Sequence, residues 1–319
     1  EAPLLPAILR FSIPLMLTGI LQLAYNTADS IIVGRYAGHA SLAAVGSTTS
    51  IIFLIITLFN GVSIGANYMA ARDFGAQDDK GLFRTVHCAA LLSVILGLLA
   101  CVCGLLLSTP LLRWADAPED VLPLSLLYLR IYFFGMPVLM IYNFGAALLR
   151  AVGDTRRPLY FLFAAGAVNV VLNLFFVIQL GMGVDGVAWA TVISECVSAG
   201  LIIRSLMKEN GAMKLHLTKL RIVSGKLTQI VRVGLPAGMQ GAIFSISNVL
   251  IQSSVNSFGS IAMAGNTASS NIEGFVYTAM NAVYQTSLSF TSQNLGGEKF
   301  SRIDKIKNIC LGVVTVVGL

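Results

Sequence analysis

The chain has 319 residues, of which 56% are hydrophobic and only 11% charged; 21 Lys and Arg face 15 Asp and Glu, giving a net charge of +6. Soluble domains carry about 25% charged residues, so a surface that meets water over most of its area is excluded. The basic excess sits in a few loops rather than on one face, so nucleic acid is excluded as a partner.

A helix needs about 20 mostly apolar residues to cross the hydrocarbon. Such stretches lie near 8–33, 42–71, 86–109, 123–149, 159–180, 187–207, 233–257, 263–291 and 308–319. They are continuously apolar, whereas barrel strands alternate. The predicted fold class is therefore an all-α polytopic membrane protein with about nine spans. The first span contains Gln22, Asn26 and Asp29 and is too long and polar for a cleavable signal peptide. The chain opens on Glu1 and its ninth apolar run is cut off at Leu319, which reads as a piece of a longer protein. Pro14, Pro137 and Pro236 lie within or near the start of spans, where they free carbonyls and permit bending.

Lys and Arg mark cytoplasmic loops. The loop after the second span holds Arg72, Lys80 and Arg84, and the loop after the fourth holds Arg150, Arg156 and Arg157. The loop after the sixth carries Lys208, Lys214, Lys219, Arg221, Lys226 and Arg232, and Lys299, Arg302, Lys305 and Lys307 follow the eighth. Opposite loops offer only Arg35 and Arg113, the latter beside Asp116, Glu119 and Asp120. This asymmetry predicts a cytoplasmic N-terminus and a multi-pass protein of the plasma membrane, the cytoplasmic membrane of a bacterium.

The sequence also repeats itself at an offset of about 221 residues: Asn60 falls on Asn281, Gly75 on Gly296, Gly38 on Gly259, Ala43 on Ala264, and Pro14 on Pro236 with one residue of slack. An even number of spans separates the copies, so both insert the same way. The expected organisation is an N-terminal six-helix lobe over 1–207, a cytoplasmic linker over 208–232, and the start of a pseudo-symmetric second lobe over 233–319, with two spans and part of a third. A complete second lobe would add about three more spans.

Charged side chains at mid-bilayer cost about 2.5–3.5 kcal/mol on insertion scales and by default mark function. Asp29 leads the candidates, inside the polar run Tyr25-Asn26-Thr27-Ala28-Asp29-Ser30, and its counterpart in the second copy falls near Leu250. Asn169 and Asn173 share one face of the fifth span, where amide oxygens either coordinate a hard cation or join helices. Glu195 on the sixth span, Glu273 on the eighth, Asn26 on the first and Gln240 on the seventh are candidate substrate or proton sites. Arg130 reads as snorkelling to an interface. Cys88, Cys101, Cys103, Cys196 and Cys310 read as small buried hydrophobes, and His39, His87 and His216 show no metal-ligand spacing.

The run Ile13-Pro14-Leu15, then Tyr25 to Arg35, resembles the opening of multidrug and toxic compound extrusion (MATE) transporters. Ala43-Ala44-Val45-Gly46, the run Arg150 to Arg156, and Phe290-Thr291-Ser292-Gln293-Asn294-Leu295-Gly296 extend the likeness over nearly the whole chain. The resemblance implies two six-helix lobes, a central cavity and alternating access. It implies an antiporter, not an enzyme, exporting drugs and organic cations in exchange for Na+ or H+, with no cofactor besides that ion. It places a cation site, with Na+ as its only metal, at Asp29, Asn169, Asn173 and Thr191; family members carry an acid where Asn173 stands. It also implies a monomer in the bilayer. A lipid-linked oligosaccharide flippase of the same wider superfamily is the alternative, disfavoured because the cations here sit in loops rather than in spans.

Overall fold

The computed structural model describes residues 3–114, 119, 121–256 and 260–318. Each apolar run becomes a helix. α1 (Leu4–Ile32) ends in a π-helical turn, Val33–Ala37, and Gly38, at φ +87, breaks the chain before α2 (His39–Gly75). α3 covers Asp79–Trp114. The run predicted as one span over 123–149 is two helices, α4 (Leu122–Phe134) and α5 (Met136–Ala151), bent by 47° at Gly135. α6 (Arg156–Leu174) passes into a second π-helical turn, Phe175–Gln179, and α7 covers Val184–Lys208. After a loop come α8 (Ser224–Asn256), α9 (Ser260–Gly296) and α10 (Phe300–Gly318). By length and apolarity six described segments can cross a membrane, and α4 with α5 makes a seventh.

Two expectations are corrected. α8 starts at Ser224, inside the stretch 208–232 read as linker, because its first turns are polar and escape an apolar-run criterion. Cys196 is exposed, and Cys101 and Cys103 are only partly buried. In a bilayer the outer face of a helix is apolar too, so a small hydrophobe need not point inward; Leu106 and Val316, 72% and 76% exposed, follow the same rule.

The loop at 209–223 is strapped to the start of α3. The backbone N–H of His216 donates to His87 Nε2 at 3.0 Å, and His87 Nδ1 lies 2.8 Å from the Phe83 carbonyl oxygen. Met213 and Leu215 of this loop are buried. The first turn of α8 is pinned as well: Lys226 Nζ donates to both carboxylate oxygens of Asp73 at 2.7 and 2.6 Å, and Thr85 Oγ1 donates to the same group at 2.5 Å. Arg157 bridges Asp154 and Glu209, joining the α5–α6 turn to the end of α7.

The repeat is visible in the backbone. After α2, Ala76 N donates to Arg72 O, Gln77 N to Phe74 O and Asp78 N to Asp73 O; after α9, Gly297, Glu298 and Lys299 donate to Gln293, Leu295 and Asn294 in the same pattern. Gln77 and Glu298 both take φ of +55, the two described non-glycine residues in that region. The two turns also face each other reciprocally. A Cβ on Gly75 would run into the Gln293 carbonyl, and one on Gly296 into that of Arg72. Of the other paired positions, Gly259 lies outside the described residues, as does the side chain of Ala264.

The helices before and after the loop meet mainly on the side of the basic loops. Gly61 and Gly65 of α2 press against Gly234 and Gly238 of α8, backbone on backbone. Small residues permit such close approach between membrane helices. Ser289 Oγ donates to Asn67 Oδ1 at 3.1 Å, and Gln293 Nε2 to the Ala151 carbonyl at 2.6 Å.

Candidate functional site

The site begins with a close crossing of α1 and α6. Gly166 has no side chain, and the ring of Tyr25 fills the space where one would be, while the Tyr25 hydroxyl donates to the Phe163 carbonyl at 3.2 Å. Asp29 is one turn beyond Tyr25 on the same face of α1, so this crossing carries it onto Asn173. Asn173 Nδ2 donates to Asp29 Oδ1 at 2.5 Å and to Asn169 Oδ1 at 3.1 Å. Asn169 Nδ2 in turn reaches Thr191 Oγ1 at 3.4 Å, and that hydroxyl donates to the Val187 carbonyl at 3.0 Å. Three helices are thus joined through the four residues singled out as a cation site.

Burial makes the arrangement informative. Asn169 is 5% exposed and Asn173 fully buried, and Asn173 Oδ1 has no hydrogen-bond partner. A buried acceptor left unmatched costs about 1–3 kcal/mol. One carboxylate, two amide oxygens and one hydroxyl form an oxygen-only donor set suited to a hard cation. Both site helices pass into π-helical turns just beyond the key residues, at Val33 and Phe175, and these turns pack on each other. Such turns recur at functional sites.

The remaining candidates stay outside this network. Glu195 is one turn past Thr191 on α7, and its carboxyl makes no hydrogen bond or ion pair among the described residues. Asn26 is exposed, and its carbonyl accepts from Ser30 Oγ at 2.9 Å. Gln240 on α8, Glu273 on α9 and Arg130 on α4 are exposed as well. No group of three or more His, Cys, Asp or Glu able to hold a metal occurs among the described residues. Two residues escaped sequence reasoning: Tyr128 and Tyr132, one turn apart on α4, lie within electrostatic reach of both Asp29 and Glu195. The only signal was a four-residue tyrosine spacing in a greasy helix, which ordinary core packing also produces.

The MatE family model matches residues 14–175 and again 236–319, and the two matches open on the two prolines that open the repeat. The chain belongs to the MatE family. It is a membrane transporter of the multidrug-efflux kind, not an enzyme. Among relatives, "Probable multidrug resistance protein YoeA" of Bacillus subtilis is 27% identical over 97% of this chain and 68% of its own. The FAD transporter of Shewanella oneidensis is 26% identical over 99% of this chain and 71% of its own. A solved structure of a multidrug resistance MATE family transporter in an outward-facing conformation superposes with a TM-score of 0.91 at 27% identity, covering 99% of this chain and 70% of that one.

Proposed function

We propose that the chain forms the larger part of a cation-coupled antiporter, driven by Na+ or H+, that exports cationic or amphipathic drugs by alternating access. The observation that carries this reading is the continuous network from Asp29 through Asn173 and Asn169 to Thr191, with a buried, unmatched amide oxygen at its centre. A cation entering the network gives Asn173 Oδ1 a partner and offsets the Asp29 charge; a proton on Asp29 removes that charge. Either event changes how α1 packs on α6, so the ion has different affinities for the two packings, which is what coupling requires.

The proposed organisation is an N-terminal lobe over 1–207 and a second lobe from 233, with the basic loops in the cytoplasm of a bacterial cell. With that orientation, closure along Gly61–Gly75 seals the inner side, the arrangement of an outward-facing state. The transporter is proposed to act as a monomer. A relative that carries FAD widens the substrate classes to try.

The test is efflux from proteoliposomes by the full chain, with Na+ and pH gradients imposed separately and a cationic dye or FAD as cargo. Gradient-driven export by wild type that is lost in Asp29→Asn supports the reading, and the effective gradient names the ion. Equal export by both proteins removes Asp29 from the mechanism.

A further inference from the structure

Neither Glu195 nor Glu273 is used by the cation network or by an ion pair among the described residues, but Glu273 is exposed whereas Glu195 is half-buried. Glu195 lies near the middle of α7, one turn beyond Thr191 and so on the same helical face. That turn displaces it by about 6 Å along the helix from the level of Thr191. Its carboxyl packs against the bend of the fourth span. Gly135 leaves room there, since a Cβ on it would come within 3.3 Å of Glu195 Oε2 and 2.8 Å of Val192 Cγ2.

Neutral polar groups lie beside Glu195. Tyr128 and Tyr132 approach it from α4, and Cys196 is its neighbour on α7. No Lys, Arg or His among the described residues makes an ion pair with it. An ionised carboxylate at this depth, with no cation and no donor, is strongly disfavoured. It is stable only when a proton occupies it or a positive group arrives. The tyrosines put it beside the Asp29 network without merging the two sites.

We propose that Glu195 is a second proton-carrying carboxyl of the transport cycle, one helical turn deeper than the Asp29 network and separated from it by Tyr128 and Tyr132. This rests on the antiporter reading above. The step is a simple one: a proton from water on one side forms an O–H bond with the Glu195 carboxylate, and that bond breaks when the site faces the other side. An antiporter built this way moves one more charge-compensating proton per cycle than Asp29 alone would move.

The experiment is labelling of the wild-type full chain in proteoliposomes with a hydrophobic carbodiimide, which adds to protonated carboxyls in apolar surroundings, followed by peptide mass spectrometry. The expected result is labelling of Glu195 at pH 6 that falls about tenfold per pH unit once the carboxyl ionises. Labelling absent at pH 6, or unchanged up to pH 9, overturns the proposal. The reading is made on wild type, so a variant that fails to fold does not affect it. A second arm compares the number of protons moved per dye exported in wild type and Glu195→Gln: a drop of about one supports the proposal, and an unchanged ratio overturns it. Asp29→Asn separates the two ideas, because export surviving in that variant while Glu195 still titrates defeats the Asp29 assignment and leaves Glu195 standing.

Discussion

The α2–α8 and α1–α9 crossings each join one helix of the first copy to one of the second and exchange places when the copies are exchanged, yet they are closed by different means. In the first, Gly61 and Gly65 meet Gly234 and Gly238, with nothing between the two backbones. In the second, the counterparts are Ala282, Thr286, Ser12 and Met16, and all carry side chains. There the helices are held by a Ser12–Thr286 hydroxyl pair at 2.8 Å and by Phe11 set edge-on to Phe290 at 5.4 Å. A backbone-to-backbone crossing tolerates almost no change of separation, because packed surfaces are stiff. A crossing made of side chains can shift by changing rotamers. The helix held by the adaptable crossing is α1, which carries Asp29. Duplication supplied one scaffold, and divergence left the side-chain contact on the helix that bears the acid.

The largest effect is expected from removing the stiffness of the first crossing. Gly65→Val forces a side chain into the Ile230 carbonyl and the Gly234 backbone; overpacking commonly costs about 1–3 kcal/mol, and the cost here lies above that range because backbone cannot turn aside as a side chain can. The expected outcome is a large fall in melting temperature and loss of cross-linking between cysteines placed on the basic-loop ends of α2 and α8. Next comes the polar anchor of that crossing. Lys226→Met leaves Asp73 buried without its partner, and breaking such a pair costs about 3–5 kcal/mol when burial is complete; the side chains here are 17% and 9% exposed, so the lower end applies. The counterpart of Asp73 is Asn294, whose amide only donates to the Phe290 carbonyl at 2.8 Å. Asn294→Ala is therefore expected to cost about 1 kcal/mol, and equal losses from the two variants in denaturation would break the comparison.

Smaller effects sharpen it. A double-mutant cycle on Ser12→Ala and Thr286→Val is expected to give a coupling near 0.6 kcal/mol, the average for hydrogen bonds between membrane helices. Read by thermal unfolding, a coupling of several kcal/mol would show the α1–α9 crossing to be as rigid as its partner. The two turns provide the control. Gln77→Gly and Glu298→Gly each relieve a left-handed backbone, worth about 1 kcal/mol, and the two gains should match because the turns do.

Much of the fold was legible in the sequence because a bilayer writes long apolar runs and strands its basic residues in loops. The repeat could be read from Pro14, Gly75 and their counterparts, since proline and glycine positions follow backbone geometry rather than surface chemistry. The bend at Gly135 was half legible: Pro137 marked this span as able to bend, and the bend falls two residues before it, but the packing of Glu195 and Val192 on Gly135 had no sequence signal. Lys226 looked like one more loop cation, because the buried Asp73 that fixes it lies far away in sequence. In the site, Asp29 stood out through its cost in the membrane. Asn169, Asn173 and Thr191 were ordinary polar residues until the resemblance to a family gave them a pattern, and only three-dimensional packing revealed the unmatched Asn173 oxygen. His87 and His216 show no metal-ligand spacing in the sequence, and the contact between them, from the His216 backbone N–H to the His87 ring, depends on the fold of the loop.

The most direct test of the central claim is equilibrium ion binding to the purified full chain, following bound Na+ and released protons in wild type and in Asp29→Asn. The expected result is one bound ion fewer per chain in Asp29→Asn than in wild type, and weaker binding at that site in Asn173→Ala, which removes the unmatched oxygen. Undiminished ion binding by Asp29→Asn would contradict the assignment and place the coupling site elsewhere in the molecule.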